Sequence, residues 1–275
     1  MKNPKSPSKN HPNSPSQNRP NSPSQNHPNS FKINIENFEK VGRIKGTDFS
    51  TIYSVIDKKT GQTYAAKVLR SGQNGEKKTI NREIGIMMIF QHPTIIKFYG
   101  YSPIDFEKTH HPTIIMDLAQ EGSLYDILMS VRMNSAKNYT NTKRQIILTG
   151  VARGMMFLHQ HHVIHRDLKT GNILLDAQLR PHITDFGRSK TIDTGEELFQ
   201  SGPQGDIFYV APELLKKQRY NGKVDVYSYG IIMYEVLTNT CPYPKHKNKS
   251  DYHDLIEKVL SGYRPKFTVP IKRSF

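Results

Sequence analysis

The chain has 275 residues, enough for one or two compact domains with a sizeable core, but its hydrophobic fraction of 35% is low for a wholly globular chain and points to an unstructured part. A single cysteine excludes an intrachain disulfide, and no apolar run approaches the roughly 18–20 residues of a membrane-crossing helix. The net charge of +15 permits contact with RNA or acidic membranes, yet no RNA-binding signature with interleaved aromatics accompanies it, which favours a solvated basic surface over specific nucleic-acid binding.

Residues 1–30 carry +4 of that charge and repeat an eight-residue unit: NPKSPSKN from Asn3, HPNSPSQN from His11, RPNSPSQN from Arg19 and a shortened HPNS from His27. With no apolar residue after Met1, this tail cannot bury enough surface to offset the entropy of ordering, so a disordered tail is expected rather than stacked repeats. Order is expected to begin at Phe31, where Ile33, Ile35 and Phe38 start an apolar pattern. Ser50–Ile56 and Gln62–Leu69 read as strands around a Lys58–Gly61 turn. Lys77–Phe90 reads as a helix with Ile80, Ile84, Met87 and Met88 on one side, ended by Pro93. Thr94–Tyr101 and Thr113–Leu118 read as two further strands. After Gly122 the pattern turns helical: Thr142–His161 with a stripe of Ile147, Val151, Met155 and Leu158, then Lys223–Thr238, then Asp251–Leu260.

The most informative stretch is HRDLKTGNILLDAQLRPHITDFG at 165–187. It orders a carboxylate (Asp167), a lysine (Lys169), an amide (Asn172) and a second carboxylate before Phe-Gly (Asp185), the groups that phosphoryl transfer from ATP requires. Upstream, Lys67 rises from the apolar strand Thr63-Tyr-Ala-Ala-Lys-Val-Leu. Downstream lie Tyr209-Val-Ala-Pro-Glu213 and Val224-Asp225-Val-Tyr-Ser-Tyr-Gly230. Together these resemble the eukaryotic protein kinases over about residues 33–270, and in particular the tyrosine-kinase-like branch, which acts on serine and threonine.

The resemblance implies an α+β, bilobal architecture: a tail at 1–30, a β-rich N-lobe at 31–118 and a mainly helical C-lobe at 119–275. It implies ATP and Mg2+ as cofactors and protein substrates as partners. Asp167 is then the base for the acceptor hydroxyl, Lys169 steadies the γ-phosphate, and Asn172 and Asp185 supply the oxygen ligands that magnesium requires. Lys67 holds the α- and β-phosphates with a helix glutamate as partner, Glu83 by its distance from His92-Pro93, with Glu76 the runner-up. Ala65, Gly46 and Lys45 fall in the nucleotide-binding part of the N-lobe. Met116 takes the gatekeeper position, and Asp117 and Ala119 the connection that presents backbone groups to adenine. Asp225 anchors the catalytic loop, and Arg166 receives a phosphate on Thr191, Thr194 or Ser201 of the activation segment.

Three departures accompany the resemblance. Lys45, Thr47 and Ser50 stand where relatives carry glycines, which is expected to loosen phosphate contact, with Lys45 compensating by charge. Asp206 replaces a threonine and is expected to repel Asp167, attract Lys169 and slow catalysis. The sequence stops at Phe275, before the helix whose arginine pairs with Glu213, so the C-lobe is expected to be incomplete. These departures keep open a pseudokinase that binds partners and transfers little phosphate. Ser6, Ser14 and Ser22 precede prolines, so the tail is either a target of proline-directed kinases or a passive linker. His159, His161, His162 and His165 read as helix-end caps rather than metal ligands. Cys241 reads as inert, and with no signal peptide the expected location is cytoplasmic, with the nucleus also open.

Overall fold

The computed structural model describes residues 31–70, 74–135, 139–192, 198, 205–243 and 249–267. The repeat tail, Thr194, Ser201 and most of the Lys245–Lys249 run lie outside the described residues.

The first half is a five-stranded antiparallel sheet in the order β1-β2-β3-β5-β4, with β1 at Phe38–Gly46, β2 at Ser50–Asp57, β3 at Thr63–Leu69, β4 at Phe98–Ser102 and β5 at Thr113–Asp117. Alternation along β3 decides which residues meet the site. Tyr64 and Ala66 join Val55 and Ile115 on one face, while Ala65 and Leu69 join the main core on the other. Lys67 shares the second face. The register pairs Ala65 with Met116 and Lys67 with Ile114, so the nucleotide-site candidates of two strands look the same way.

Helix α1 (Asn74–Ile89) packs on that face through Ile80, Ile84 and Met87. It starts three residues before the periodicity suggests. Strand β4 begins four residues later than the sequence reading, because Thr94–Lys97 is diverted to contact the second lobe: Ile95 bridges Ile183, and the two chains exchange Ile96 N–H to Ile183 O and Ile183 N–H to Thr94 O. Strand β1 was not legible at all. Its residues are nearly all exposed, and two register shifts, at Lys40–Gly42 and Arg43–Lys45, break the alternation.

The second lobe is mainly helical: α2 (Leu124–Arg132), α3 (Asn141–Gln160), α4 (Pro212–Leu215), α5 (Lys223–Thr238) and α6 (Lys249–Leu260). The bilobal kinase-like architecture is thus present. Helix α2, unanticipated as a separate element, opens with a reciprocal cap: Asp126 N–H donates to Ser123 Oγ at 3.3 Å and Ser123 N–H to Asp126 Oδ2 at 3.0 Å. Helix α3 buries the expected stripe of Ile147, Val151, Met155 and Leu158. Between α3 and α4 run the short pairs β6 (Val163–Ile164) with β9 (Lys190–Thr191) and β7 (Ile173–Leu175) with β8 (Pro181–Ile183), which frame the loops at the cleft.

Candidate active site

Lys67 emerges from β3 into a setting that holds its charge. Only 9% of it is exposed, and its Nζ lies 2.6 Å from Glu83 Oε1 and 3.1 Å from Asp185 Oδ1. Burial opposes the ammonium, but the two carboxylates outweigh it and hold its pKa above the usual lysine range. The partner on α1 is Glu83, one helical turn from Ile80 and Met87 on the packed side; Glu76 lies in the first turn of the helix. Asp185 gains from the same contact, with Lys67 pulling its carboxyl below the ordinary value against the cost of burial. It sits at φ 70°, a left-handed turn that sends Phe186 into the core, fully buried and against the His165 ring, while the carboxylate faces Lys67.

At the back of the cleft Met116 is buried opposite Ala65. The Asp117 carboxylate accepts from Tyr99 OH at 2.8 Å and its N–H donates to Lys97 O at 3.0 Å. Ala119 follows in a turn closed by Gly122 N–H at 3.4 Å.

The catalytic loop is suspended from α5. Asp225, almost wholly buried, accepts from His165 N–H at 2.8 Å and Arg166 N–H at 2.9 Å, and its Oδ2 lies 2.8 Å from His159 Nε2. His165 works in one tautomer: Nε2 donates to Thr184 O at 3.0 Å and Nδ1 accepts from Asp167 N–H at 3.3 Å. The register of β7 and β8 pairs Ile173 with Ile183, which sets Asn172 beside Thr184; Thr184 N–H donates to Asn172 O at 3.0 Å. Asn172 and Asp185 are thereby brought to one end of the hairpin. The Asn172 amide nitrogen donates to Asp167 O at 2.7 Å and Oδ2 at 3.1 Å, which fixes the amide oxygen on the opposite side. Lys169 Nζ stands 3.4 Å from Asp167 Oδ2, and Arg188 Nη1 3.8 Å from Asp167 Oδ1.

A family model for the protein kinase domain matches residues 36–274. The chain belongs to the protein kinase domain family. Among curated proteins it is 31% identical over 210 residues to an LRR receptor-like serine/threonine-protein kinase of Oryza sativa, covering 75% of this chain and 20% of that protein. It is 34% identical over 193 residues to an RGS domain-containing serine/threonine-protein kinase of Dictyostelium discoideum, covering 70% and 16%. It is 31% identical over 221 residues to a probable myosin light chain kinase of the same organism, covering 78% and 66%. The chain therefore spans from about a sixth to about two thirds of the length of these relatives.

In this kinase domain Thr170, Glu235 and Arg132 were not singled out from sequence. Tyr209 OH donates to Glu235 Oε2 and lies 2.9 Å from Thr170 Oγ1, and Glu235 Oε1 in turn meets Arg132 Nη2 at 3.3 Å. This buried chain ties the catalytic loop to the segment before α4 and to α2 and α5. Gly205 approaches Asp167 so closely that a Cβ there would lie 2.8 Å from Asp167 Oδ1, and its φ of 105° itself favours glycine. Asp206 caps the turn Ile207–Tyr209, its Oδ1 accepting from Phe208 N–H at 3.3 Å. Burial raises its carboxyl pKa; Phe208 N–H and Lys169 lower it, and Asp167 raises it further. The four histidines are dispersed: His161 Nδ1 lies 2.8 Å from Phe157 O, a helix-end contact, while His159 and His165 brace the catalytic loop. Arg166 donates to Arg188 O at 2.6 Å and to Tyr220 OH at 2.9 Å. Glu213 makes no ion pair among the described residues.

Proposed function

We propose that this domain transfers the γ-phosphoryl group of ATP to serine or threonine hydroxyls of protein substrates, as a member of the tyrosine-kinase-like branch. The observation that carries the reading is the assembled cation and carboxylate set: Lys67 clamped between Glu83 and Asp185, with Asp167 and Lys169 beside each other across the cleft. Lys67, fixed and charged, is the group for the α- and β-phosphates. Ala65, Met116, Asp117 and Ala119 are read as the adenine end, and Gly46 and Lys45, at the end of β1, as the part of the N-lobe that borders the phosphates.

The residues present suit magnesium. Asp185 and Asn172 offer hard oxygen donors at one hairpin end, two protein ligands being usual for an ion that keeps waters and substrate phosphates. Bound there, magnesium would neutralise charge on the phosphates. Asp167 accepts the acceptor hydroxyl's proton, its carboxylate oriented by the Asn172 amide and by the backbone that His165 holds. Lys169 stabilises charge developing on the transferred group. Its place beside Asp167 fits serine/threonine acceptors, as do the names of the relatives. The exposed, unpaired Cys241 suits a reducing, cytoplasmic setting, and among the described residues no helix is long and apolar enough to cross a membrane.

Magnesium-dependent transfer of labelled phosphate to a generic basic protein, beside Asp167→Asn, tests this. Activity falling about 10²–10⁴-fold in the variant, with Mg-ATP binding kept, is the expected result. Equal rates would remove Asp167 from the mechanism. No transfer from a wild-type protein that binds Mg-ATP would instead point to a binding module.

A further inference from the structure

Around the turn between β1 and β2, Thr47 and Ser50 stand where the family resemblance implies glycines, and the structure shows how they hold the turn. The backbone from Lys45 to Ser50 stays out of the left-handed region, so no residue there needs glycine's freedom. The turn is closed by Thr47 N–H donating to Ser50 O at 2.8 Å and is held from β3 by Arg70, whose N–H donates to Phe49 O at 2.9 Å and whose Nη2 donates to Thr51 Oγ1 at 3.1 Å. Two amides at the tip take a side-chain acceptor. Thr47 supplies one: its Oγ1 accepts from Phe49 N–H at 3.3 Å and Ser50 N–H at 3.2 Å. The same hydroxyl lies 3.5 Å from Ser50 O and 3.4 Å from Ser50 Oγ, either of which takes its proton. A hydroxyl with two lone pairs and one proton is thereby used to capacity.

Adjacent N–H groups converging on one oxygen are the arrangement by which backbone loops bind phosphate. The loop lies over the strand that carries Lys67: Ile52 pairs with Lys67 and Ser50 with Leu69. We propose that the Thr47 hydroxyl is an internal stand-in for a nucleotide phosphate oxygen, occupying the Phe49 and Ser50 amides until ATP displaces it, and that it thereby sets the affinity for ATP. This rests on the reading of the cleft as an ATP site. Exchange is feasible because N–H donation to a phosphate oxygen is roughly twice as strong as donation to a neutral hydroxyl. It is also costly, since the neutral bonds must be broken first. Thr47 therefore acts as a positioning residue on nucleotide affinity, with no part in the transfer itself.

Calorimetric titration of Mg-ATP and of adenosine into the full chain, Thr47→Val and Thr47→Ser tests this. Valine keeps the branched shape and removes the hydroxyl. Thr47→Val is expected to bind Mg-ATP about three- to tenfold tighter, the gain when a neutral hydrogen bond of ordinary strength no longer has to be broken. Adenosine, which has no phosphate, is expected to bind wild type and Thr47→Val alike. Thr47→Ser, which restores the hydroxyl, returns binding towards the weaker value. Mg-ATP binding that is unchanged or weakened in a folded Thr47→Val overturns the proposal while leaving the ATP site standing, because the hydroxyl would then only shape the turn. Equal tightening for adenosine overturns it too. Absence of Mg-ATP binding in wild type and both variants overturns the ATP-site reading and this proposal with it.

Discussion

Asp206 is a carboxylate in a place where its charge is costly. With Asp167 it lines a small cleft that also includes Arg166 and Tyr209, and burial is the main cause of its raised pKa. Its compensation is local: it caps the turn at Ile207–Tyr209 and feels the Lys169 ammonium. A group whose pKa is raised on folding adds stability below its unfolded value and loses it as pH rises through the folded value. The domain is therefore expected to lose stability as pH climbs from about 4 through the raised Asp206 value. Asp206→Asn keeps a capping oxygen and cannot ionise, so that part of the fall should vanish from its profile of unfolding midpoint against pH. Superimposable profiles for the two proteins would show that Asp206 ionises in the folded state as it does in the unfolded chain.

Helix α3 shows how an element away from the candidate site bears on its geometry. Its Gly154 is a packing glycine: a Cβ there would lie 2.6 Å from Thr94 Oγ1 and 2.7 Å from Ile183 Cδ1. Thr94 and Ile183 are the residues through which the two lobes exchange backbone hydrogen bonds, and Asp185 follows Ile183 by two. Gly154→Ala sets a helix-propensity gain of up to ~1 kcal/mol against an overpacking cost of about 1–3 kcal/mol. Because one clash involves the Thr94 carbonyl at 3.3 Å, which cannot rotate away, overpacking should win. A net destabilisation of about 1–2 kcal/mol by denaturant titration, with a drop in transfer rate, is expected. A stabilised variant would show that the side-chain ends yield.

At the scale of the whole molecule, three pieces of chain meet at one ammonium: Lys67 from the sheet, Glu83 from α1 and Asp185 from the second lobe. The ring of contacts is completed by Arg82 donating to Gly187 O at 3.0 Å and by Phe186 filling the space beside α1. Relative placement of the lobes is thus coupled to a buried ion pair. Removing one partner of such a pair leaves an uncompensated charge, a loss of about 3–5 kcal/mol. Glu83→Ala should cost that much in thermal unfolding, moderated by the retained Asp185 contact, and should abolish transfer. A variant with wild-type stability would mean that Lys67 finds equal solvation from Asp185 and water.

The sequence by itself determined the chemistry and the elements with strong periodicity. The stretch 165–187, through its resemblance to protein kinases, made Asp167, Lys169, Asn172 and Asp185 the candidates, because they lie within one short stretch whose order is local information. Helices α3 and α5 were legible because a four-residue rhythm of apolar side chains needs no distant partner to be recognised. Strand β1 and the start of β4 were not, since both are set by what lies opposite: β1 by its bulged pairing with β2, and Thr94–Lys97 by Ile183 of the other lobe. The chain from Thr170 through Tyr209 and Glu235 to Arg132, the Thr47 hydroxyl filling the loop amides, and the closing of the Lys67–Glu83 contact that the sequence favoured were decided only in three dimensions. Each depends on a distance of a few ångströms between atoms, and that distance is a property of packing rather than of order along the chain.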